Sequence, residues 1–270
     1  MLEVALSQGE LYTIITNKKA KGRAGSIVAI VSGTQSENVI HKVNKIAASK
    51  RRKVEEITLD MASSMKQIAK SCFPRATQVT DRFHVQQLAT EAVQEIRIQY
   101  RWEAIDKENE EIAQARREGK YHISKTLPNG DTDKQLLARS RYLLYKSPEK
   151  WTDSQRVRAN ILFEQYPKIE KAYRLSDQLR SIYNSSYKKE VAITKLAKWY
   201  DQVEKSGFKS FKTIMNTVSI NYASILNYFE NRSTNAAAES FNAKIKAFRT
   251  QFRGVRNIAF FLFRLTNIFA

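Results

Sequence analysis

Apolar positions along this chain follow two regimes. In the first eighty residues, short β-branched and aromatic runs alternate with helical patterns. Leu11-Tyr12-Thr13-Ile14-Ile15 and Ile27-Val28-Ala29-Ile30-Val31 predict two strands. The segment between them, Asn17 to Gly25, holds two glycines and four basic residues and predicts a hairpin loop. Val39, Ile40, Val43 and Ile46 recur at helical spacing. Val54–Leu59 then reads as a short strand ending at Asp60, and Met61 to Phe73 as a helix stopped by Pro74. Gln78-Val79-Thr80 is a weaker strand leading into Asp81. Strands alternating with helices in the later part of this region fit parallel pairing in a mixed sheet.

From His84 onward the pattern is helical. Val85 to Arg117 contains neither glycine nor proline and reads as one long helix or two joined ones. Lys120 to Asp133 is a loop carrying the turn-forming Pro128-Asn129-Gly130-Asp131. Helices are predicted over Lys134–Tyr145, Asp153–Phe163, Ile169–Ser185, Lys188–Lys205 and Phe208–Tyr228, punctuated by Pro148 and Pro167. Ser233, Thr234 and Asn235 are N-cap formers and announce a further helix that carries Glu239.

Charge changes this picture. Lys and Arg total 46 against 27 acids, a net charge of +19, which favours nucleic acid or an anionic membrane as partner. The apolar end Ile258–Ala270 is too short to span a bilayer and contains Arg264. Cys72 is the single cysteine, so neither an internal disulfide nor a cysteine-based zinc site can form. It sits among Ile68, Ala69 and Phe73 and reads as core.

Within this basic chain, acids stand at the edges of predicted elements. Asp60 closes one strand, Asp81 closes its predicted neighbour, and Glu239 returns from far along the chain on a helix. Carboxylates reaching one point from different elements are what two-metal phosphoryl transfer requires. The same residues admit plain structural roles. An Asp at a strand end often caps the next helix, a Glu in a first turn suits the helix dipole, and a His opening a helix can be a hydrogen-bonded core residue.

Taken together, the strings ITLDMA, TDRFHV and STNAAAESFNAKIKAFRTQFRGVRNIAFFLFRL resemble those of bacterial insertion-sequence transposases of the DDE class. The resemblance covers nearly the whole chain. It implies a ribonuclease H-like core, a mixed sheet flanked by helices and interrupted by a large all-helical insertion, so an α/β plus all-α fold. The core would comprise 1–84 and 230–270, the insertion 85–229. Asp60 matches the second catalytic aspartate and Glu239 the final glutamate, the two implied metal ligands. Asp81 and His84 match the auxiliary C/D-x-x-H element of Mutator- and hAT-type transposases. The implied cofactor is Mg²⁺ or Mn²⁺. The implied partner is DNA, at insertion-sequence ends and at the target, with no membrane. A homo-oligomer, a separate N-terminal end-recognition region and a cytoplasmic, nucleoid-associated bacterial setting are also implied.

The helix after Glu239 offers Lys244, Lys246, Arg249, Arg253 and Arg256 as DNA contacts, and Glu239, Lys246 and Arg253 share one face. Phe241, Phe248, Phe252 and Phe260-Phe261-Leu262-Phe263 read as core. Arg101-Trp102 matches an Arg-Trp pair of related transposases, or is a plain packing pair. One departure stands out. The family's first catalytic aspartate falls at Leu2, and Glu3 matches the acid after it. The expectation is therefore a transposase catalytic region truncated at its start. The alternative is a DNA-binding remnant without catalysis.

Overall fold

The alternation near the start becomes two small sheets in the computed structural model, which describes residues 1–7, 10–251 and 257–270. Strands β1 (Leu2–Ser7), β2 (Glu10–Thr16) and β3 (Ile27–Ser32) form an antiparallel sheet in that order. After α1 (Ser36–Val43) and the single-turn α2 (Ala48–Arg51), β4 (Glu56–Leu59) leads through α3 (Ser63–Cys72) to β5 (Thr77–Thr80). β4 and β5 pair in parallel, Leu59 opposite Thr80, as the helical crossover between them requires. The apolar pattern alone missed β1; only the family resemblance called for a first strand there.

The long helix α4 (Arg82–Arg117) is unbroken. Then come α5 (Asp133–Arg139), α6 (Asp153–Gln165), α7 (Pro167–Ser185), α8 (Lys189–Ser206) and α9 (Lys209–Ile220), followed by the short α10 (Tyr222–Leu226) and α11 (Tyr228–Asn231). Helices α12 (Ala236–Gln251) and α13 (Ile258–Phe269) finish the chain. The chain divides into two compact units. One is mixed α/β, Met1–His84 with Asn221–Ala270; the other is all-helical, Val85–Ile220.

In the mixed unit β2 and β3 send apolar side chains into cores on both faces of the sheet, because successive strand residues point to opposite sides. Ile15 and Val31 face a core with Val39 and Val43 of α1 and Met65, Ile68 and Ala69 of α3. Tyr12 and Ile14 face a second core with Phe241 and Ile245 of α12 and Phe261 and Leu265 of α13. A bulge between Ile15 and Thr16 breaks the register with β3. It turns Ile27 to the α12–α13 side although Ala29 and Val31 face the α1–α3 side. Cys72 is fully buried in the α1–α3 core, and burial pushes its thiol pKa up against the pull of Arg51. Of the terminal aromatics only Phe261 is buried, while Phe260 and Phe263 are exposed on the other faces of α13. Phe248 packs on Phe261, and Phe252 lies outside the described residues.

Two expected boundaries move. The stretch Lys134–Tyr145 is not one helix: α5 stops at Arg139 and a 3₁₀ turn covers Leu143–Tyr145. Buried Ser140, the C-cap of α5, directs its hydroxyl back to the Leu136 carbonyl at 2.6 Å. Phe208–Tyr228 also breaks, at Asn221, where the chain leaves the helical unit. Residues 221–229, expected in the insertion, pack instead on β5. The Ser224 and Thr80 hydroxyls meet at 2.8 Å, and Asn227 Nδ2 donates to the Gln78 carbonyl at 2.9 Å. The mixed unit therefore resumes at 221 rather than 230.

The helical unit is organised around polar anchors as well as apolar packing. Arg97 of α4 is buried and donates to the Leu137 carbonyl at 2.9 Å and to Gln94 at 2.7 Å. Burial, with Arg101 and Arg141 nearby, holds its pKa below the ordinary guanidinium value. Asp131, in the predicted turn, is 1% exposed and accepts hydrogen bonds from Arg139, Arg158 and Asn129. It thus ties the loop to α5 and α6. Trp151, Phe163 and Tyr173 form a ring cluster, with Trp151 and Tyr173 stacked at 5.5 Å. Removing the shared anion leaves two guanidinium groups facing each other, each partly screened by water. Asp131→Ala is expected to cost about 3 kcal/mol, the low end for a broken buried pair, read from the urea unfolding midpoint.

Candidate metal centre

Parallel pairing brings the two strand-end aspartates side by side. Asp81 N donates to the Leu59 carbonyl at 3.0 Å, so Asp60 and Asp81 leave adjacent strand ends. Strand ends of α/β sheets are common ligand sites. β5 is an edge strand here, and Asn227 Nδ2 occupies the Gln78 carbonyl that an open edge would leave unpaired.

The Asp81 carboxylate is buried and fixed at both oxygens. Oδ1 accepts from Phe83 N at 3.2 Å, capping α4, and Oδ2 accepts from Asn235 N at 3.3 Å. Asn235 turns its side-chain amide to the Met1 carbonyl at 3.1 Å, while its own carbonyl receives Glu239 N at 2.9 Å. One residue thus joins the start of β1, the end of β5 and the first turn of α12. The sequence marks Asn235 only as a cap former; its bonds to Asp81 and Met1 have no local signal, since they span most of the chain.

The outcome is a cluster. Ligand atoms of Asp81, His84 and Glu239 all lie within 4.8 Å of one another, with Asp81 buried, His84 half-buried and Glu239 exposed. Among the described residues this is the one such group of three. Asp60 is half-buried and stands outside it, its Oδ1 accepting from Ala62 N at 2.9 Å at the entry to α3. Burial lowers the pKa of the Met1 amino group to about 6, against the opposing pull of the Asp60 and Asp81 carboxylates. That amino group donates to the Thr58 carbonyl at 2.9 Å, placing the start of β1 beside β4.

Two carboxylates and an imidazole make a coherent donor set for a divalent ion. Carboxylates alone suit Mg²⁺, and an imidazole nitrogen in the set suits Mn²⁺ better. The arrangement can hold such an ion and leave positions open for water or phosphate oxygens.

Of the proposed DNA contacts, Lys244 and Lys246 are exposed on α12. The Arg249 guanidinium instead packs over the Phe261 ring at 5.7 Å. Arg253 and Arg256 lie outside the described residues. A cationic stack missed by sequence reading stands nearby: Arg82 and Arg232 both lie over the Tyr228 ring, at 6.0 and 5.6 Å.

A family model described as Transposase, DDE_Tnp_ISL3, matches residues 3–265. The chain belongs to this transposase family. It is similar to the transposase for insertion sequence element IS1557 of Mycobacterium tuberculosis, in strains CDC 1551 / Oshkosh and ATCC 25618 / H37Rv. Each relative is 24% identical over 206 residues, 74% of this chain and 44% of the relative. The chain thus spans less than half the length of these curated relatives. No solved structure matches. Among the described residues no helix is long and apolar enough to cross a membrane.

Asn235→Ala leaves the buried Met1 carbonyl without its donor and keeps the backbone bond to Asp81. It is expected to cost about 1–3 kcal/mol, measured by chemical unfolding of the full chain.

Proposed function

We propose that this chain is the catalytic region of a DNA transposase whose metal centre is built from Asp81, His84 and Glu239, with Asp60 as the neighbouring carboxylate. The observation that carries the proposal is the convergence within 4.8 Å of side chains from positions 81, 84 and 239. A structural cap would need none of the other two.

The mixed unit is read as ribonuclease H-like. β3, β2 and β1 are antiparallel in that order, the Met1–Thr58 bond puts the start of β1 next to β4, and β5 runs parallel beyond it. Joined at that bond, the two sheets would take a five-strand order of 3-2-1-4-5, with Asp60 and Asp81 at the ends of β4 and β5. The helical unit is the insertion between the second and last acids.

When bound, the ion would make water acidic enough to act as a nucleophile and would offset charge on the phosphoryl oxygens. The chain's own residues do the rest. Asp81 is aimed by two backbone amides, so its oxygens are set before any substrate arrives. His84 lies three residues later, in the first turn of α4, on the same side of the helix. Glu239 is exposed and meets the incoming strand. Lys244 and Lys246, further along α12, contact phosphates and hold that strand in line. The reaction would be hydrolysis of a phosphodiester at an element end. Transfer of the freed 3′-hydroxyl to target DNA would follow, with no covalent enzyme intermediate.

A second reading is favoured by Leu2. It opens β1, directly after the Met1 that touches this corner, where the family resemblance implies an aspartate. On that reading the chain binds DNA and metal but does not cut.

Calorimetric titration with Mn²⁺ tests the metal centre, and DNA cleavage separates the two readings. Glu239→Gln and Asp81→Asn are each expected to weaken Mn²⁺ binding by at least about tenfold, the scale of a lost ligand interaction. A Glu239→Gln protein that binds Mn²⁺ as tightly as the unaltered chain would remove the metal centre from the argument. Cleavage of DNA bearing element ends, abolished by Asp60→Ala, supports the catalytic reading. Metal and DNA binding without cleavage supports the remnant.

A further inference from the structure

The loop between β2 and β3 carries Lys18, Lys19, Lys21 and Arg23, all exposed. No acid occurs anywhere from Leu11 to Ser36. We infer that this loop is a phosphate clamp that grips the DNA backbone beside Glu239. The inference rests on the reading that the chain binds DNA, and it adds a surface which neither the family match nor the relatives assign.

The loop is a constructed element. Asn17 N donates to the Ser26 carbonyl at 2.8 Å and closes its base. Inside, Asn17 Oδ1 accepts from Lys19 N at 3.1 Å to start a 3₁₀ turn over Lys18–Ala20. Arg23 N and Ser26 N bond back to the Ala20 and Arg23 carbonyls. Lys21 stands at φ 51°, followed by Gly22 at 74° and Gly25 at 81°. Left-handed backbone is ordinary for glycine and uncommon for lysine. A lysine in this conformation carries a backbone cost, which points to a use for the charge.

The loop is also fastened to the chain around Glu239. Lys18 Nζ reaches Ser233 Oγ at 3.2 Å, and Lys244 Nζ reaches the Gly22 carbonyl at 3.3 Å. Ser233 precedes Glu239 and Lys244 follows it, so the two ties bracket the metal-ligating glutamate. Gly22 permits the second tie, since a Cβ there would fall 2.8 Å from the Lys244 ammonium. Among the described residues none of these five cations forms an ion pair with a carboxylate.

Duplex DNA is the partner this chemistry fits. Its backbone presents one charge per about 1.7 Å of axis, a density that a row of unpaired ammonium and guanidinium groups matches. An anionic membrane would also attract the charge. However, the loop has no large apolar side chain from Asn17 to Ser26 to enter a headgroup layer.

The test uses the full chain carrying Lys19→Ala, Lys21→Gly and Arg23→Ala together. Lys21→Gly removes charge while suiting the left-handed backbone. Lys18 and Lys244, which hold the loop, are left intact. Binding to a fluorescent duplex is followed by anisotropy across a salt series. The slope of log affinity against log salt is expected to become shallower by about 2 to 3, at about 0.9 for each phosphate no longer neutralised. Mn²⁺ affinity should stay unchanged. A control with Lys125→Ala, Lys198→Ala and Lys212→Ala makes the same charge change in the helical unit and should alter the slope less. An equal change in the two triples, or none in the loop triple while the unaltered chain binds DNA, overturns the clamp and leaves the metal centre standing. Loss of the metal centre in the Mn²⁺ titration leaves the clamp to be judged by the salt slope. In the unaltered chain, bound duplex should also shield Lys19 and Lys21 from acetylation. Full reactivity of both in the complex, or tighter binding to anionic vesicles than to duplex, overturns the clamp as well.

Discussion

Asn235 is the residue on which the acidic corner depends. Its backbone amide holds Asp81, its side chain holds the start of β1, and its carbonyl begins the helix that carries Glu239. These bonds are buried, so each replaces water that the separated groups would otherwise keep. Without such a tie, a carboxylate on a strand end and another on a distant helix have no reason to share a position. Like charges at short range repel, and the electrostatic cost of gathering them must be met by fixed donors and, on the proposed reading, by a cation.

How much of this was legible beforehand follows from the range of the forces involved. Local periodicity gives β2, β3, the crossover through α3 and the long α4, because each is encoded by neighbours within a few residues. Asp60 and Asp81 could be placed at strand ends for the same reason. β1 and the halt of α5 at Arg139 escaped the periodic reading. The return of the chain to the mixed unit at Asn221 also escaped. It is decided by Ser224 and Asn227 meeting β5, partners nearly 150 residues away in sequence.

The candidate site divides in the same way. The residue types were readable from their strings, and the resemblance to transposases drew them into one group. Their relative placement was not readable. The expected pair was Asp60 with Glu239, yet the tight cluster contains Asp81 and His84 with Glu239, while Asp60 turns to the amide of Ala62. The basic surface divides likewise, since Arg249 lies against Phe261 and a basic hairpin loop, read simply as a loop, is tied to α12 through Lys244 and the Gly22 carbonyl.

The mixed unit is discontinuous in the chain, with the helical unit inserted between its two parts. A ribosome adds about 5–20 residues per second, so the strands bearing Asp60 and Asp81 emerge many seconds before the helix bearing Glu239. Through that interval one face of the three-stranded sheet lacks the α12–α13 layer that covers it in the finished fold. The nascent protein must keep Tyr12, Ile14 and Ile27 from sticking elsewhere, and it can have no complete acidic corner until α12 has emerged. Any capacity to damage DNA would therefore be withheld until that helix is made.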